Sequence, residues 1–177
     1  MENKKKLIAA ALAGVFFLNA CGSSEENLSG KTGRKGNRDV ISDFTLVETE
    51  KGRKSWILEA SRVALKKSEE GIDIIEVNEF DVLFFEEDDE ITLEAGTGHY
   101  NRLNNRIYTR GEVIISSDKK KIITSDVRWE PGSRKFITGE KVEIHTPEGV
   151  IRGVGMVAST DLSDIKLTRE IKGEFSN

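Results

Sequence analysis

The sequence is poor in the residues that build disulfides, metal centres and irregular loops. Its 177 residues include one cysteine, two histidines, two prolines and 7% aromatic residues. The single cysteine has no intramolecular disulfide partner. Neither His99 nor His145 has a second histidine or a cysteine at metal-ligand spacing. The scarcity of proline and aromatic residues fits a regular, hydrogen-bonded sheet protein.

Recognisable catalytic motifs are also missing. The sequence has no glycine-rich phosphate loop, no nucleophile elbow, and no serine, histidine and aspartate at a spacing that singles them out. The fragment Gly153-Val154-Gly155 is explained better by a strand kink than by a cofactor loop. We therefore expect no enzymatic activity, no catalytic residue, no metal and no cofactor.

Positive charge is not in excess either. The formal net charge is −4, whereas a nucleic-acid-binding surface needs a basic stripe. Nucleic acid is therefore excluded as a partner.

The acidic run from Glu86 to Glu90 lacks the spaced oxygen ligands and the glycine of a known calcium loop, and a solvated hairpin tip fits it better.

An N-terminal targeting segment is the first feature that the chain does have. Three lysines, Lys4 to Lys6, precede the apolar run from Leu7 to Leu18, which is shorter than the ~20 residues of a membrane span. The following Leu18-Asn19-Ala20-Cys21 resembles a bacterial lipobox, which is cleaved before a cysteine that then carries lipid. An ordinary signal peptide or an uncleaved anchor also fits. We predict a lipoprotein signal peptide over residues 1–20 and a lipidated Cys21 that holds the protein on a membrane.

The segment after Cys21 has the composition of a tether. From Gly22 to Asp39 it is rich in glycine, serine, asparagine, lysine and glutamate, with the lone apolar residue Leu28 before Val40. Such a segment buries too little apolar area to order itself. The sequence thus predicts a flexible linker over residues 21–39 and a folded domain over residues 40–177.

The predicted domain repeats one unit every 29 residues. Leu93, Ile122 and Ile151 follow one another at this interval. Three more columns keep the period and their apolar character: Tyr100, Trp129 and Ala158; Ile107, Phe136 and Ile165; Val113, Val142 and Ile171. A fixed period of this size indicates a repeat architecture in which neighbouring units bury their apolar faces together.

Each unit is predicted to be made of strands. Val142 and Ile144 alternate with charged residues, which is the period-two pattern of a half-buried strand. The segments 101–106 and 131–135 are rich in turn-forming residues, and no helical period appears after residue 40. Leu58-Glu59-Ala60 returns as Leu93-Glu94-Ala95, which indicates a degenerate fourth copy with a longer hairpin made of 72–77 and 80–85. We predict an all-β fold of repeated antiparallel strand units.

The order of these parts resembles the LptC family, the periplasmic, membrane-anchored component of the lipopolysaccharide export machinery. The resemblance covers roughly residues 40 to 175, and soluble LptA and OstA-type proteins share the repeat. The matching pieces are Phe44-Thr45-Leu46, Gly52 to Ala60, Leu93-Glu94-Ala95, Gly111-Glu112-Val113 with Thr124-Ser125-Asp126, and Ile151 to Met156. Well-known members carry an uncleaved transmembrane helix instead of a lipidated cysteine. Gly22 also differs from the aspartate associated with inner-membrane retention in some bacteria.

The resemblance implies an open β-jelly roll in the periplasm, with its anchor expected in the inner membrane. Such a protein accepts lipopolysaccharide from the LptB, LptF and LptG transporter and passes it along a hydrophobic groove to LptA. By strand alternation we assign fifteen residues to a lipid-binding interior: Phe44, Leu46, Trp56, Leu58, Leu93, Tyr100, Ile107, Val113, Ile115, Trp129, Phe136, Val142, Ile144, Ile151 and Ile165. Alternation alone does not separate a groove from a packed core.

The edges of the sheet are candidate docking sites, because an unpaired strand invites pairing with another chain. Ile165, Leu167 and Ile171 in the last apolar run are predicted to form a partner edge toward LptA. Val40 to Val47, the first run, would face the transporter. Lys166 and Arg169 also fit a role as charges that block edge pairing.

Two other functions fit the sequence. One is a lipoprotein scaffold whose closed β-fold recruits partners without conducting lipid. The other is a soluble, LptA-like periplasmic carrier whose N-terminus is an ordinary signal peptide.

Lipidation is tested directly by metabolic labelling. We predict that the protein incorporates radiolabelled palmitate in its native host and that Cys21→Ala abolishes the incorporation, because Cys21 supplies the only thiol. Label retained in Cys21→Ala, or absent from the wild type, would rule out the lipoprotein assignment and favour the soluble carrier.

Overall fold

The computed structural model describes residues 25–35, 38–68, 71–86 and 89–175. Within these ranges all regular structure is β, and the all-β prediction is confirmed. The strands are β1 (Glu25–Lys35), β2 (Arg38–Glu50), β3 (Arg53–Ser68), β4 (Gly71–Phe85), β5 (Glu90–Asn101), β6 (Arg106–Ser116), β7 (Lys121–Thr124), β8 (Arg128–Glu130), β9 (Lys135–Thr146), β10 (Gly149–Ser159) and β11 (Ile165–Phe175). The predicted signal peptide and Cys21 lie outside the described residues. In the described part, no helix has the length and hydropathy of a membrane span.

The strands form one antiparallel sheet in chain order. Each strand from β1 to β6 pairs with the next, and so do β9, β10 and β11, while β7 and β8 each pair with both β6 and β9 and together fill the place between them. The edges of the sheet are β1 and β11. The 29-residue repeat is visible in this arrangement, because β6 and β9 share one burial pattern, with two buried positions on each side of three exposed residues.

Irregular residues interrupt most strands near their midpoints, and they align across the sheet. We call this line the crease. It contains five residues with positive φ: Asp43 in β2, Glu79 in β4, Gly111 in β6, Gly155 in β10 and Glu170 in β11. The break at residues 125–127, which separates β7 from β8, lies on the same line.

The crease shifts the alternation of side chains along a strand. In β4 the buried residues before Glu79 are Ile75 and Val77, and after it they are Phe80, Val82 and Phe84. The inward positions thus change from odd to even numbers. A bulge inserts an unpaired residue and bends the strand. Because the shift coincides with the bend, the same face of the sheet stays apolar on both sides of the crease.

The sheet folds along the crease into two layers that share one core. Layer A comprises the segments 38–42, 62–68, 71–78, 97–101, 106–110, 128–130, 135–138, 156–159 and 165–168, and layer B comprises 44–50, 53–60, 80–85, 90–95, 112–116, 121–124, 141–146, 149–154 and 171–175. Trp56 of layer B contacts Trp129 of layer A, and Phe84 of layer B contacts Phe136 of layer A. Strands that pass between layers through bulges are a known way of turning such a corner.

Three predictions about the first half of the chain require correction. The structure has strand β1 where the sequence predicted a linker, because an edge strand pairs through its backbone and needs few apolar side chains. As a result β2, which contains Val40 to Val47, is paired on both sides and is not an edge. The predicted hairpin of 72–77 and 80–85 is one continuous strand, β4, which crosses the crease at Glu79.

The tight packing at Gly98 gives a test of the two-layer fold. A Cβ atom at Gly98 would lie 2.4 Å from the Tyr108 carbonyl oxygen and 2.8 Å from the Phe80 ring. We predict that Gly98→Ala lowers the free energy of unfolding by about 1–3 kcal/mol, as overpacking does. Gly96→Ala in the same strand is the control, since a Cβ there meets nothing within 4 Å. Equal urea-denaturation midpoints for the two variants would contradict the packing described.

Candidate binding interior and its mouth

The structure brings the predicted interior residues into one core between the layers. Thirteen of the fifteen are buried, and Ile151 and Ile165 are half-buried. They lie on β2, β3, β5, β6, β8, β9, β10 and β11, so nearly every strand contributes. Whether these residues contact lipid stays a prediction.

Sequence reasoning missed the inward face of β4. Ile75, Val77, Phe80, Val82 and Phe84 are all buried. The alternation from Phe80 to Phe84 was a usable signal. It was obscured because apolar residues also occupy outward positions of this strand.

Aromatic side chains form the centre of the core and join the layers. The ring centroids are 5.5 Å apart for Trp56 and Tyr100, 5.9 Å for Trp56 and Trp129, and 4.9 Å for Phe84 and Trp129. The two Trp56 contacts are edge-to-face, which aromatic pairs favour. The Trp129 Nε1–H donates to Thr160 Oγ1 at 3.1 Å, so its only polar atom is satisfied. The interior is therefore filled by the chain's own side chains.

A cavity of about 440 Å³ opens between the layers at the strand ends remote from the crease. We call this opening the mouth. Its floor contains Trp56, Phe84 and Trp129, and its rim includes Glu86 and Arg134. The mouth therefore ends on the aromatic centre, whose three rings are themselves buried.

Polar contacts tie the layers together along the mouth, among them the following three. The first joins Asn105 Nδ2 to Glu48 Oε1 at 3.5 Å, while Asn105 Oδ1 accepts from the Tyr100 hydroxyl at 2.7 Å. The second is an ion pair between Arg134 and Glu86. In the third, Lys120 Nζ donates to the Leu162 carbonyl oxygen at 2.6 Å. Each tie joins a turn of layer A to a strand end or a turn of layer B.

The turn between β10 and β11 is built around Asp161. The Asp161 carboxylate accepts hydrogen bonds from the Ser159 hydroxyl and from the Ser163 backbone N–H and hydroxyl. These bonds lower the pKa of Asp161 below its ordinary value of 3.8. Their contribution to stability is therefore present above that value and is lost as the pH falls through the lowered pKa. The same turn buries Leu162, whose φ is 55°.

The two histidines lie apart, on the outer faces of different layers. His99, in layer A, stacks on Tyr108 with ring centroids 4.7 Å apart, and both line a separate outer groove of about 590 Å³. His145, in layer B, contacts the carboxylate of Glu143. No group of three potential metal ligands occurs among the described residues.

An ion-pair network lies on the outer face of layer B. Arg152 bridges Glu143 of β9 at 2.8 Å and Glu174 of β11 at 3.3 Å. The hydrogen bond from Arg152 lowers the pKa of Glu143, and that carboxylate in turn raises the pKa of Arg152. These charges lie on the side of layer B that faces away from the core.

The C-terminal end of the core is the least covered. Ile165 and Leu167 of the predicted partner edge are half-buried, whereas Ile171 is 62% exposed and Phe175 is 68% exposed. Within the described residues, β11 pairs only with β10 and leaves its other edge unpaired. Its role in binding a partner stays a prediction.

Because the C-terminal end is less buried, we predict that a substitution there changes the free energy of unfolding less than a substitution in the core. Ile107→Ala should lower the free energy of unfolding by about 2–5 kcal/mol, because it leaves a cavity in the core. Ile171→Ala should change it by no more than about 0.5 kcal/mol, as expected for an exposed position. Urea denaturation provides the measurement, and a loss of several kcal/mol in Ile171→Ala would contradict the open C-terminal end.

Comparison with known proteins identifies the family. The model of the LptC family, described as "Lipopolysaccharide-assembly, LptC-related", matches residues 6–176. No curated protein matches the sequence. Among solved structures, the chain is similar to LptH, the LptA homologous periplasmic component of the lipopolysaccharide transport device from Pseudomonas aeruginosa. The TM-score is 0.49 at 9% identity, over 86% of this chain and 96% of that chain, and a likeness at this level supports no argument by itself.

The family match spans nearly the whole sequence, and it confirms the resemblance found in the sequence together with the expectation that the protein is not an enzyme. The chain belongs to the LptC family and is a non-enzymatic, periplasmic protein of lipopolysaccharide transport.

Proposed function

We propose that this protein is a membrane-anchored link in lipopolysaccharide export. It receives lipopolysaccharide from the LptB, LptF and LptG transporter and passes it to LptA, with the acyl chains held between layers A and B. The observation that carries the proposal is the single apolar face, which runs across nearly the whole sheet and opens at the mouth and toward β11. Directional movement would come from the ATP-driven transporter.

Lipid entry requires the layers to part, because side chains fill the interior. Parting exchanges contacts among residues such as Trp56, Phe84 and Trp129 for contacts with acyl chains, so apolar surface remains covered. Each buried CH₂ group contributes ~0.8 kcal/mol. About ten such groups give ~8 kcal/mol, which corresponds to near-micromolar affinity before ordering costs. Binding of this strength holds a lipid out of water and still allows its release.

The two sheet edges suit docking at opposite ends of the path. The unpaired edge of β11, with Ile165, Leu167 and Ile171, is proposed to bind LptA by strand addition. At the other end, β1 replaces Val40 to Val47 as the edge that faces the transporter, since β1 is the outermost strand there.

A lipidated Cys21 would hold the β1 edge close to the membrane surface. Only four residue steps separate Cys21 from Glu25, where β1 begins, and an extended chain spans at most ~3.6 Å per residue, or ~14 Å in total. This short tether would keep the β1 edge close to the membrane, which we propose to be the inner membrane because the family resemblance implies a transporter there. It also makes the protein a fixed acceptor rather than a diffusing carrier.

The closed scaffold remains the second candidate. The tightly packed aromatic centre favours it, because a protein that only recruits partners has no reason to open its core. The two candidates differ in where lipopolysaccharide touches the protein.

Photo-crosslinking in cells separates these two functions. We predict lipopolysaccharide adducts when a photoreactive phenylalanine analogue replaces Trp129 or Phe136, because both side chains face the interior. The same analogue at Glu143, on the outer face of layer B, is the matched control and should give none. Adducts at Glu143 with none at Trp129 or Phe136 would exclude a conducting interior and leave the scaffold.

A further inference from the structure

We propose that the ion pair between Glu86 and Arg134 is a latch that closes the mouth, and that an acyl chain enters the interior through the mouth only when this latch opens. The inference rests on the proposed function and names the entry site of the lipid and the contact that controls it.

The two partners of the latch belong to different layers. Glu86 follows β4 at the end of layer B, and Arg134 lies in the turn between β8 and β9 at the end of layer A. The Glu86 side chain is 11% exposed and that of Arg134 is 56% exposed, so the arginine reaches from solvent over the rim to a covered carboxylate. Their contact therefore spans the opening from one layer to the other.

The latch is coupled to the aromatic floor on both sides. On the layer A side, the Arg134 carbonyl oxygen accepts from the Thr160 backbone N–H at 2.9 Å, and Thr160 Oγ1 accepts from the Trp129 indole at 3.1 Å. On the layer B side, Glu86 directly follows β4, which carries Phe84. The Phe84 and Trp129 rings meet beneath the latch with centroids 4.9 Å apart. Moving Arg134 away from Glu86 would therefore loosen this ring contact.

The latch joins two formally charged side chains, unlike the other two ties described above. In the other two, a carboxylate meets the Asn105 amide and an ammonium meets a backbone carbonyl. An ion pair at a half-exposed position is weak and sensitive to salt. It can hold the mouth closed at rest and still yield to an entering lipid.

The chain contains two native tryptophans whose fluorescence can report the entry of an acyl chain. Trp56 and Trp129 are its two tryptophans, and both line the cavity under the latch. A long-chain fatty acid brominated at mid-chain quenches tryptophan fluorescence on contact. The quenching rate thus measures access of an acyl chain to the interior.

The decisive experiment bridges the mouth covalently. In the full chain with Cys21→Ser, Glu86→Cys and Arg134→Cys are joined by a short bis-methanethiosulfonate reagent and then released by reduction. We expect bridging to slow quenching by the brominated fatty acid at least about tenfold and reduction to restore the rate. The reversal also shows that the bridged protein is folded. The control is the outer-face pair Glu143→Cys with Arg152→Cys, neighbours on β9 and β10, where the same bridge should leave the rate unchanged.

Charge variants test the latch without a bridge. Arg134→Glu should speed quenching by about two- to fivefold, the range expected from losing an ion pair of ordinary strength. The exchanged pair, Glu86→Arg with Arg134→Glu, should return the rate to that of the wild type. A bridged mouth that quenches as fast as the reduced one, or an exchanged pair that behaves like Arg134→Glu, would overturn the latch.

The outcomes distinguish the latch from the function on which it rests. If lipopolysaccharide adducts form at Trp129 but bridging does not change the quenching rate, the latch is wrong and the conducting interior stands. If the unbridged protein shows neither quenching nor adducts, the conducting function fails and the latch with it.

Discussion

The crease is the constraint on which the rest of this structure depends. A β-strand presents its apolar side chains to one side, and this sheet has to fold over so that both halves of that side meet. The irregular residues at mid-strand make both possible. They bend each strand, and at the same point they change which of its residues point inward. Val77 and Phe80 consequently point into the same core although they differ in parity. Without the shift, the apolar residues of layer B would face water.

Folding along a crease makes the two edges of the core unequal. At the crease the layers are joined by continuous backbone, since most long strands pass from one layer to the other. At the mouth they are joined by side chains, through the aromatic contacts and the polar ties. The mouth is therefore the place where the layers separate at the lowest cost. A protein that must admit and release lipid repeatedly benefits from this asymmetry, because its sheet stays hydrogen-bonded throughout.

Much of the architecture was predictable from the sequence, and the failures have physical causes. The 29-residue period identified the strands after Ile91, because burial repeats with the unit. Strand β1 was missed because its pairing uses backbone groups, which composition does not report. Strand β4 was divided because Asn78-Glu79 has the character of a turn, whereas Glu79 adopts a positive φ within a bulge. The contact between Glu86 and Arg134 joins residues 48 positions apart, so no local sequence pattern predicts it.

The central claim is that layers A and B part at the mouth to hold lipid between them. The most direct measurement is the distance between spin labels at Lys51, in the turn between β2 and β3, and Ser133, in the turn between β8 and β9. A second pair at Lys51 and Glu94, both in layer B or its turns, is the control. On addition of lipopolysaccharide the account predicts a longer and broader distance for the first pair and no change for the second. Binding of lipopolysaccharide with both distances unchanged would contradict it.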